Sequence, residues 1–278
     1  VAAVAKVMAL KDFSWEISAS VGHYKNEVTA LPDNDKTIYT SVYGGEVMTK
    51  VGNPIGLFYG YKTQGVFATS EEVAETDLRN GSENGSAFRA GDVHFSDLVA
   101  DGVIDNKDKD VIGNPNPDVF GNFGTSLHYK NWTLDAFFSY SLGNDIYNYQ
   151  RAVLESGNSY YNQTTAMLNR WTSEGQLTSI PRVEYGDRMG NARFSDRWIE
   201  DGSYLKLKTL SLSYRFPFNL TFLQGITVWG AANNLFTCTK YLGSDPELSI
   251  SGNPIYQGID RGLLGHGRSF VLGVKINL

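Results

Sequence analysis

The sequence has 278 residues with 24 basic and 30 acidic side chains, a formal charge of −6. That mild acidic balance, with no basic run, argues against nucleic acid as a partner, and the single cysteine, Cys238, excludes an intrachain disulfide framework and a multi-cysteine metal site. With 29 Gly, 16 Tyr, 15 Phe and 5 Trp but only 19% charged residues, the composition fits an all-β protein with alternating strand faces better than a soluble α/β enzyme.

No stretch approaches about 18 consecutive apolar residues, so no transmembrane helix is expected. The opening "VAAVAKVMALKDFSW" has no initiator Met, basic flank or processing site, and reads as the middle of a chain rather than a signal peptide. Residues 1 to 10 form a candidate strand leading into a turn at Lys11 and Asp12.

"FSWEISASVGH" then places Phe13, Trp15, Ile17, Ala19 and Val21 on one face and Ser14, Glu16, Ser18, Ser20 and Gly22 on the other. A period of two is a strand, not an amphipathic helix. "FGTSLHY" repeats it with Phe123, Thr125, Leu127 and Tyr129, and "WTLDAFFSY" with Trp132, Leu134, Ala136, Phe138 and Tyr140. Only Lys130 and Asn131 separate those two, which predicts an antiparallel hairpin. "YLKLKTLSLSYRF" changes phase near Thr209, the mark of a bulge or a later strand start. "GITVWGAANNLF" is a weaker extended segment, and the closing "RSFVLGVKINL" puts Phe270, Leu272, Val274, Ile276 and Leu278 on one face.

Long polar stretches at about 25–117, 141–202 and 236–267 alternate with short connections at Lys130–Asn131 and "PFNLTFLQ". Long loops at one end and tight turns at the other are the asymmetry of an outer-membrane barrel. Strands of about ten residues cross a tilted bilayer, and a sheet in lipid must close on itself because lipid offers no hydrogen-bond partners. A chain that stops within a strand fits such a ring. The same alternation also suits a soluble β-sandwich, whose apolar faces meet in a core.

Five ordered stretches carry a resemblance: "VGNPIGLFYGYKTQGVF" at 51–67, "DGVIDNKDKDVIGNPNPDVFGNF" at 101–123, "RWTSEG" at 170–175, "RFSDRWIEDGSYLKLKTLSLSYRFP" at 193–217 and "ANNLFTCTKYLGSDPE" at 232–247. In these the chain resembles the carboxy-terminal part of the SusC/RagA-type TonB-linked outer-membrane transporters of the Bacteroidetes. The resemblance implies an all-β fold, a transmembrane antiparallel β-barrel of roughly 22 strands to which this chain supplies the C-terminal strands. It further implies a plug and N-terminal barrel strands outside this chain, a SusD-like lipoprotein lid, a TonB complex acting through the plug, and contact with outer-membrane lipid. The implied activity is import of an oligosaccharide or peptide without covalent chemistry, the chain forming barrel wall and extracellular vestibule. The alternative is a surface glycan- or peptide-binding β-sandwich module without transport. The family usually ends in an aromatic residue, where this chain has Leu278.

"DLVADGVIDNKD" has calcium-loop spacing, with Asp97, Asp101, Asp105 and Asp108 as oxygen donors and the Val103 carbonyl as a further ligand. Val99 replaces one donor and Asp108 is shorter than the usual bidentate Glu. A metal-free acidic turn is therefore the competing reading; Ca2+ is a candidate and no cofactor is required. Tyr59, Tyr61, Tyr147, Tyr149, Arg151, Tyr160 and Tyr161 are candidates for substrate or lid contact, since Tyr stacks on and hydrogen-bonds a sugar or a peptide; loop packing accounts for them equally. Trp132, Tyr140, Trp198, Tyr204 and Trp229 lie near strand ends, where aromatic belts meet headgroups. His23, His94, His128 and His266 are too dispersed for a zinc site. No phosphate-binding glycine loop, nucleophile grouping or defensible pair of catalytic carboxylates emerges.

Overall fold

The computed structural model describes residues 1–32, 36–81, 85–217 and 225–277. Its largest sheet contains β1 (Ala2–Ala9), β2 (Phe13–Gly22), β3 (Val119–Tyr129), β4 (Trp132–Leu142), β5 (Tyr204–Phe216), β6 (Gly225–Thr239) and β7 (Ser269–Asn277). These pair antiparallel in chain order, an up-and-down meander. Each strand read from the alternation is present. Tyr129 pairs with Trp132 across the two-residue turn, where Lys130 takes the positive φ of 52° that such a tight reversal demands. Residues 218–224, most of the "PFNLTFLQ" turn, and Leu278 lie outside the described residues.

The phase change near Thr209 is a bulge. Phe137 pairs with Thr209 but Phe138 with Leu207, and on the other side Thr209 meets Asn233 while Leu207 meets Phe236. Against β6 the extra residue lies on β6, where Asn234 and Leu235 face Lys208 alone; against β4 the inserted residue is Lys208. It allows Leu205 and Leu207 to share a face with Leu210 and Leu212, which strict alternation would forbid.

The expectation of a transmembrane β-barrel is corrected by this topology. Closure requires the first and last strands of a ring to pair, but β1 pairs only with β2 and β7 only with β6. The four smaller sheets are separate and open as well, so among the described residues none closes. The readings of these segments as transmembrane β-strands, and of the chain as barrel wall and vestibule, fall with it. Alternation determines which side chains share a face; it does not determine whether a sheet closes. The fold is a mostly-β arrangement of several open sheets. Phe270, Leu272, Val274 and Ile276 are 75%, 87%, 64% and 58% exposed.

The three long connections, 23–118, 143–203 and 240–268, leave from one end of the meander and pack into a cap. Here the core lies. Val42, Val47 and Phe58 from the first connection, Tyr147 and Trp198 from the second and Ile259 from the third form one buried cluster. A second gathers Tyr61, Phe67, Phe88, Val93, Phe95 and Ile104. Within the seven long strands only Leu207 is a buried large apolar side chain. Burial of each such side chain stabilises by about 1.5–3 kcal/mol, so cohesion among the connections comes from the cap. Segments read as polar loops thus carry secondary structure, including a four-stranded sheet of Lys109–Gly113, Leu57–Tyr61, Gly45–Lys50 and Thr37–Val42 in that order.

Candidate functional site

The four-stranded sheet of the cap splits. Gly45–Lys50 and Leu57–Tyr61 pair at Val47–Phe58 and Met48–Leu57, then diverge. Into the gap comes residue pair Phe194–Ser195: the Tyr61 amide donates to the Phe194 carbonyl at 3.1 Å, and Ser195 bridges Tyr61 in parallel. Two glycines make this approach sterically feasible. A Cβ on Gly45 would lie 2.8 Å from Phe194 Cδ2, and one on Gly60 2.6 Å from the Phe194 carbonyl oxygen. The turn before Gly45 uses Tyr43 and Gly44, both at positive φ, the backbone of a tight hairpin.

Between the parted strands is a cleft of about 310 Å³, lined by Glu46, Tyr59, Tyr61, Lys109, Arg193 and Phe194 among others. Lys109 Nζ sits 3.0 Å from Glu46 Oε2. It is also 5.8 Å from the centre of the Tyr61 ring, against which the Arg193 guanidinium lies at 5.3 Å. Burial raises the Tyr61 phenol, with Arg193 and Lys109 opposing it. Tyr59 packs 4.9 Å from Tyr39; burial, then the hydrogen bond with Tyr39, pushes its pKa up to about 12. Both phenols therefore stay neutral and can donate and accept. The cleft offers aromatic faces, one partly exposed ion pair and strand backbone, the makings of a binding site.

The other tyrosines singled out in the sequence do not join this cleft. Tyr147 is buried in the cap core and its hydroxyl donates to the Tyr43 carbonyl at 3.0 Å. Tyr149 packs on that core, 5.5 Å from the Tyr43 ring. Tyr160 and Tyr161 are exposed, Tyr160 stacking on Tyr185 at 4.9 Å. Arg151 lines a second cleft of about 380 Å³ with Asn148, Gln150, Glu155, Thr164 and Leu242. It is pinned there by Glu155 at 3.2 Å and by contacts to Glu200 and the Arg197 carbonyl.

The acidic turn is closed by its own backbone. Asp97 accepts from the amides of Ala100 and Gly102, each at 2.7 Å, and Asp101 from Val103 at 3.1 Å. Asp105 accepts from Lys107 at 2.7 Å. Asp108, almost wholly buried, accepts from Leu98 at 2.9 Å, Val99 at 3.3 Å and Asp105 at 2.8 Å. Lys107 Nζ lies 3.7 Å from Asp101 and 3.6 Å from Asp105.

Among the strand-end aromatics, Trp132 is half-exposed and packs on Tyr214 at 4.7 Å. Tyr140 donates to the Ser20 carbonyl at 3.1 Å, and Trp229 fills the space above Gly273. Tyr204 donates to Glu247 at 3.2 Å. Trp198 lies inside the cap core, its indole N–H donating to the Arg193 carbonyl at 3.0 Å.

A cluster that the sequence did not bring together is Asp245, Glu247 and His266, whose ligand atoms all lie within 4.8 Å of one another. Such a set could hold a divalent cation. Lys206 Nζ, however, is 2.7 Å from both carboxylates and Lys208 Nζ is 2.8 Å from Glu247. An ion would have to displace the Lys206 ammonium. Burial raises the Asp245 and Glu247 carboxyls, but the lysine hydrogen bonds outweigh it and hold both below the usual range. The dispersion of the four histidines in sequence concealed this site; the "SDPE" run opposite the paired lysines was the available signal.

No protein-family model matches the chain. TonB-dependent receptor P3 of Formosa agariphila is 31% identical over 96% of this chain. The chain is homologous to the SusC/RagA-type TonB-dependent transporters. TonB-dependent receptor SusC of Bacteroides thetaiotaomicron is 28% identical over 98% of it. The chain spans only 27% of receptor P3 and 25% of SusC, about a quarter of these curated relatives. In fold it is similar to the RagAB peptide transporter, with TM-score 0.77 and 22% identity over 99% of this chain and 28% of that one. It is likewise similar to the RagAB peptide importer in its "open-open" state, with TM-score 0.76, 21% identity, and coverage of 100% and 28%. The curated relatives are named TonB-dependent receptors, and on that homology the chain is not an enzyme.

Proposed function

We propose that this chain is a surface peptide-binding module of a longer TonB-dependent-receptor homologue, with the Tyr59–Tyr61 cleft as its binding site. The observation that carries the reading is the pair of diverging strands, Gly45–Lys50 and Leu57–Tyr61. Where the ladder parts, the Tyr59, Tyr61 and Phe194 side chains and the Glu46–Lys109 pair line a cleft that an extended peptide can enter, with side-chain pockets giving specificity. The chain's own Phe194–Ser195 takes up the backbone edge at Tyr61 and forms one wall of it. RagAB, similar in fold, is a peptide transporter, which agrees with the ligand class. Glu46 and Lys109 supply the two charges that a peptide's termini or side chains would meet.

Homology supports an outer-membrane location and association with the rest of such a receptor, a SusD-like lipoprotein and TonB. No helix among the described residues is long and apolar enough to cross a membrane, which says nothing of strands. The test is calorimetric titration of the full-length protein with mixed short oligopeptides and, separately, neutral oligosaccharides. Peptide binding weakened about tenfold, or about 1.4 kcal/mol, by Tyr59→Ala supports the reading. Binding of oligosaccharides alone, with the same sensitivity to Tyr59→Ala, replaces peptide by glycan; binding unaffected by the substitution moves the site elsewhere.

A further inference from the structure

The third cap connection has two differently held parts. Its middle is rooted in the core: Ile259 is fully buried and pairs with Tyr147, and the Ile250 amide donates to the Ile259 carbonyl at 3.1 Å. Asp260, also buried, accepts from the Tyr241 hydroxyl at 2.6 Å. The flanks, residues 242–247 and 261–268, form an arm with four glycines; 261–268 is mostly exposed, 242–247 is exposed at Leu242 and Ser244 but buried at Asp245 and Pro246, and Leu242 and Leu264 face solvent.

One ion cluster fastens that arm to the long sheet. Lys206 on β5 is 2% exposed and meets Asp245, 4% exposed, and Glu247, at 2.7 Å each. Lys208, placed by the bulge, reaches Glu247 Oε2 at 2.8 Å and Oε1 at 3.0 Å. Tyr204 and Ser139 donate to the same carboxylate at 3.2 and 3.1 Å. Asp245 ties the two flanks together, accepting from the Glu247 amide at 3.1 Å and the His266 amide at 3.2 Å, with the His266 ring 3.4 Å away. Elsewhere the arm is fastened by the Leu242 amide on Glu200 at 2.8 Å and by Asn234 on the Gly267 carbonyl at 3.3 Å, while residues 261–263 are tied to the root and cap by the Gly262 and Leu263 amides on Asp260 at 2.8 and 3.0 Å and by the Arg261 guanidinium 5.0 Å from the Tyr43 ring centre.

We propose that this cluster is a clasp: it holds the arm down on the sheet and against the helix Tyr149–Leu154, and so sets access to the Arg151 cleft. Leu242, Gly243 and Ser244 of the arm form one wall of that cleft, and Gln150, Arg151 and Leu154 of the helix the other. An arm without a core of its own opens locally when its polar anchor is lost, while the Ile259 root stays closed. Because its charges are buried, the clasp is little screened by salt. It holds the arm in the same way whichever ligand the protein takes.

Backbone hydrogen exchange of the full-length protein, read by mass spectrometry at neutral pH, tests it in Lys206→Met and Glu247→Gln. Exchange in 242–247 and 264–268 rises about tenfold in both variants, with 248–263 as protected as before. The clasp is refuted if the arm exchanges at the native rate, and equally if protection is lost through 248–263, which would make the cluster a staple of the whole cap. Should Lys206→Met not fold, the isosteric Glu247→Gln decides alone between the same outcomes.

Discussion

Lys109 and Glu46 meet at 3.0 Å on the wall of the cleft between the parted strands, each about a quarter exposed. A pair this accessible adds little to stability, on the order of 0.5 kcal/mol, so its place in a cleft beside Tyr59 and Tyr61 points to ligand contact. Lys109→Met should lower peptide affinity about tenfold, or about 1.4 kcal/mol, while changing the unfolding free energy by under about 1 kcal/mol. Titration calorimetry beside denaturant unfolding separates the two. A large stability loss with unchanged affinity would make the pair architectural.

Tyr147 and Tyr59 look alike in sequence, each in an aromatic run, but only Tyr59 lines the cleft. Tyr147→Phe removes the hydrogen bond from this core residue to the carbonyl of Tyr43, a partly exposed turn residue whose oxygen water can then satisfy. It should cost about 0.5–1.5 kcal/mol of stability with no change in affinity. Tyr59→Phe should do the reverse, weakening binding and leaving the denaturation midpoint in place.

That contrast explains what could be read from the chain and what could not. The strands of the long sheet were legible because each has one face of like character, and even the bulge at Lys208 announced itself as a slip of phase near Thr209. Closure was not legible: Phe270 to Ile276 alternate alike in a ring and at an open edge. The cap was missed because its strands are short and its polar residues many. Yet "SVYGGEV" carries a hairpin signal, a two-residue turn at Tyr43–Gly44 between Val42 and Val47, both in the core. Of the Asp245–Glu247–His266 cluster only the "SDPE" run and the paired lysines showed in the sequence; their meeting depends on an arm folding back over β5.

Gly60 is held to glycine by space and not by a positive φ: the Phe194 carbonyl oxygen lies 2.6 Å from where a Cβ would stand. Gly60→Ala must push the Phe194–Ser195 segment out of the gap and break its bond to Tyr61. A loss of about 1–3 kcal/mol is expected, together with weaker peptide binding because Phe194 forms part of the cleft wall. Gly91→Ala combines a Trp171 clash with a φ of +85° and should cost at least as much without touching affinity. Thermal melts and titrations of both variants check the pairing.

The acidic turn at Asp97–Asp108 already gives each carboxylate at least one backbone donor. We expect EDTA to leave the melting temperature unchanged, and Asp108→Asn to cost about 1.5–3 kcal/mol through weakened bonds to the Leu98, Val99 and Asp105 amides. A rise in melting temperature of several degrees with millimolar Ca2+, abolished in Asp108→Asn, would instead establish the turn as a calcium loop.

The clasp carboxylates give a signed pH dependence. Asp245 and Glu247 have folded-state values held below their ordinary 3.8 and 4.5. Groups depressed in this way stabilise the fold above their unfolded values, and that contribution is lost as pH falls through the folded ones. Total stability would blur the effect, because burial raises Asp145 and Asp187 and so works in the opposite sense over the neighbouring range. The difference between the native protein and the Asp245→Asn, Glu247→Gln double variant isolates it, since Asp145 and Asp187 are common to both. That difference should be about 3 kcal/mol at pH 7 and level down to about pH 5. It should then shrink steadily as the pH falls below the unfolded values and through the depressed folded ones. Urea unfolding at each pH measures it, and a difference that grew on acidification would mean that the lysines, not the carboxylates, hold the arm.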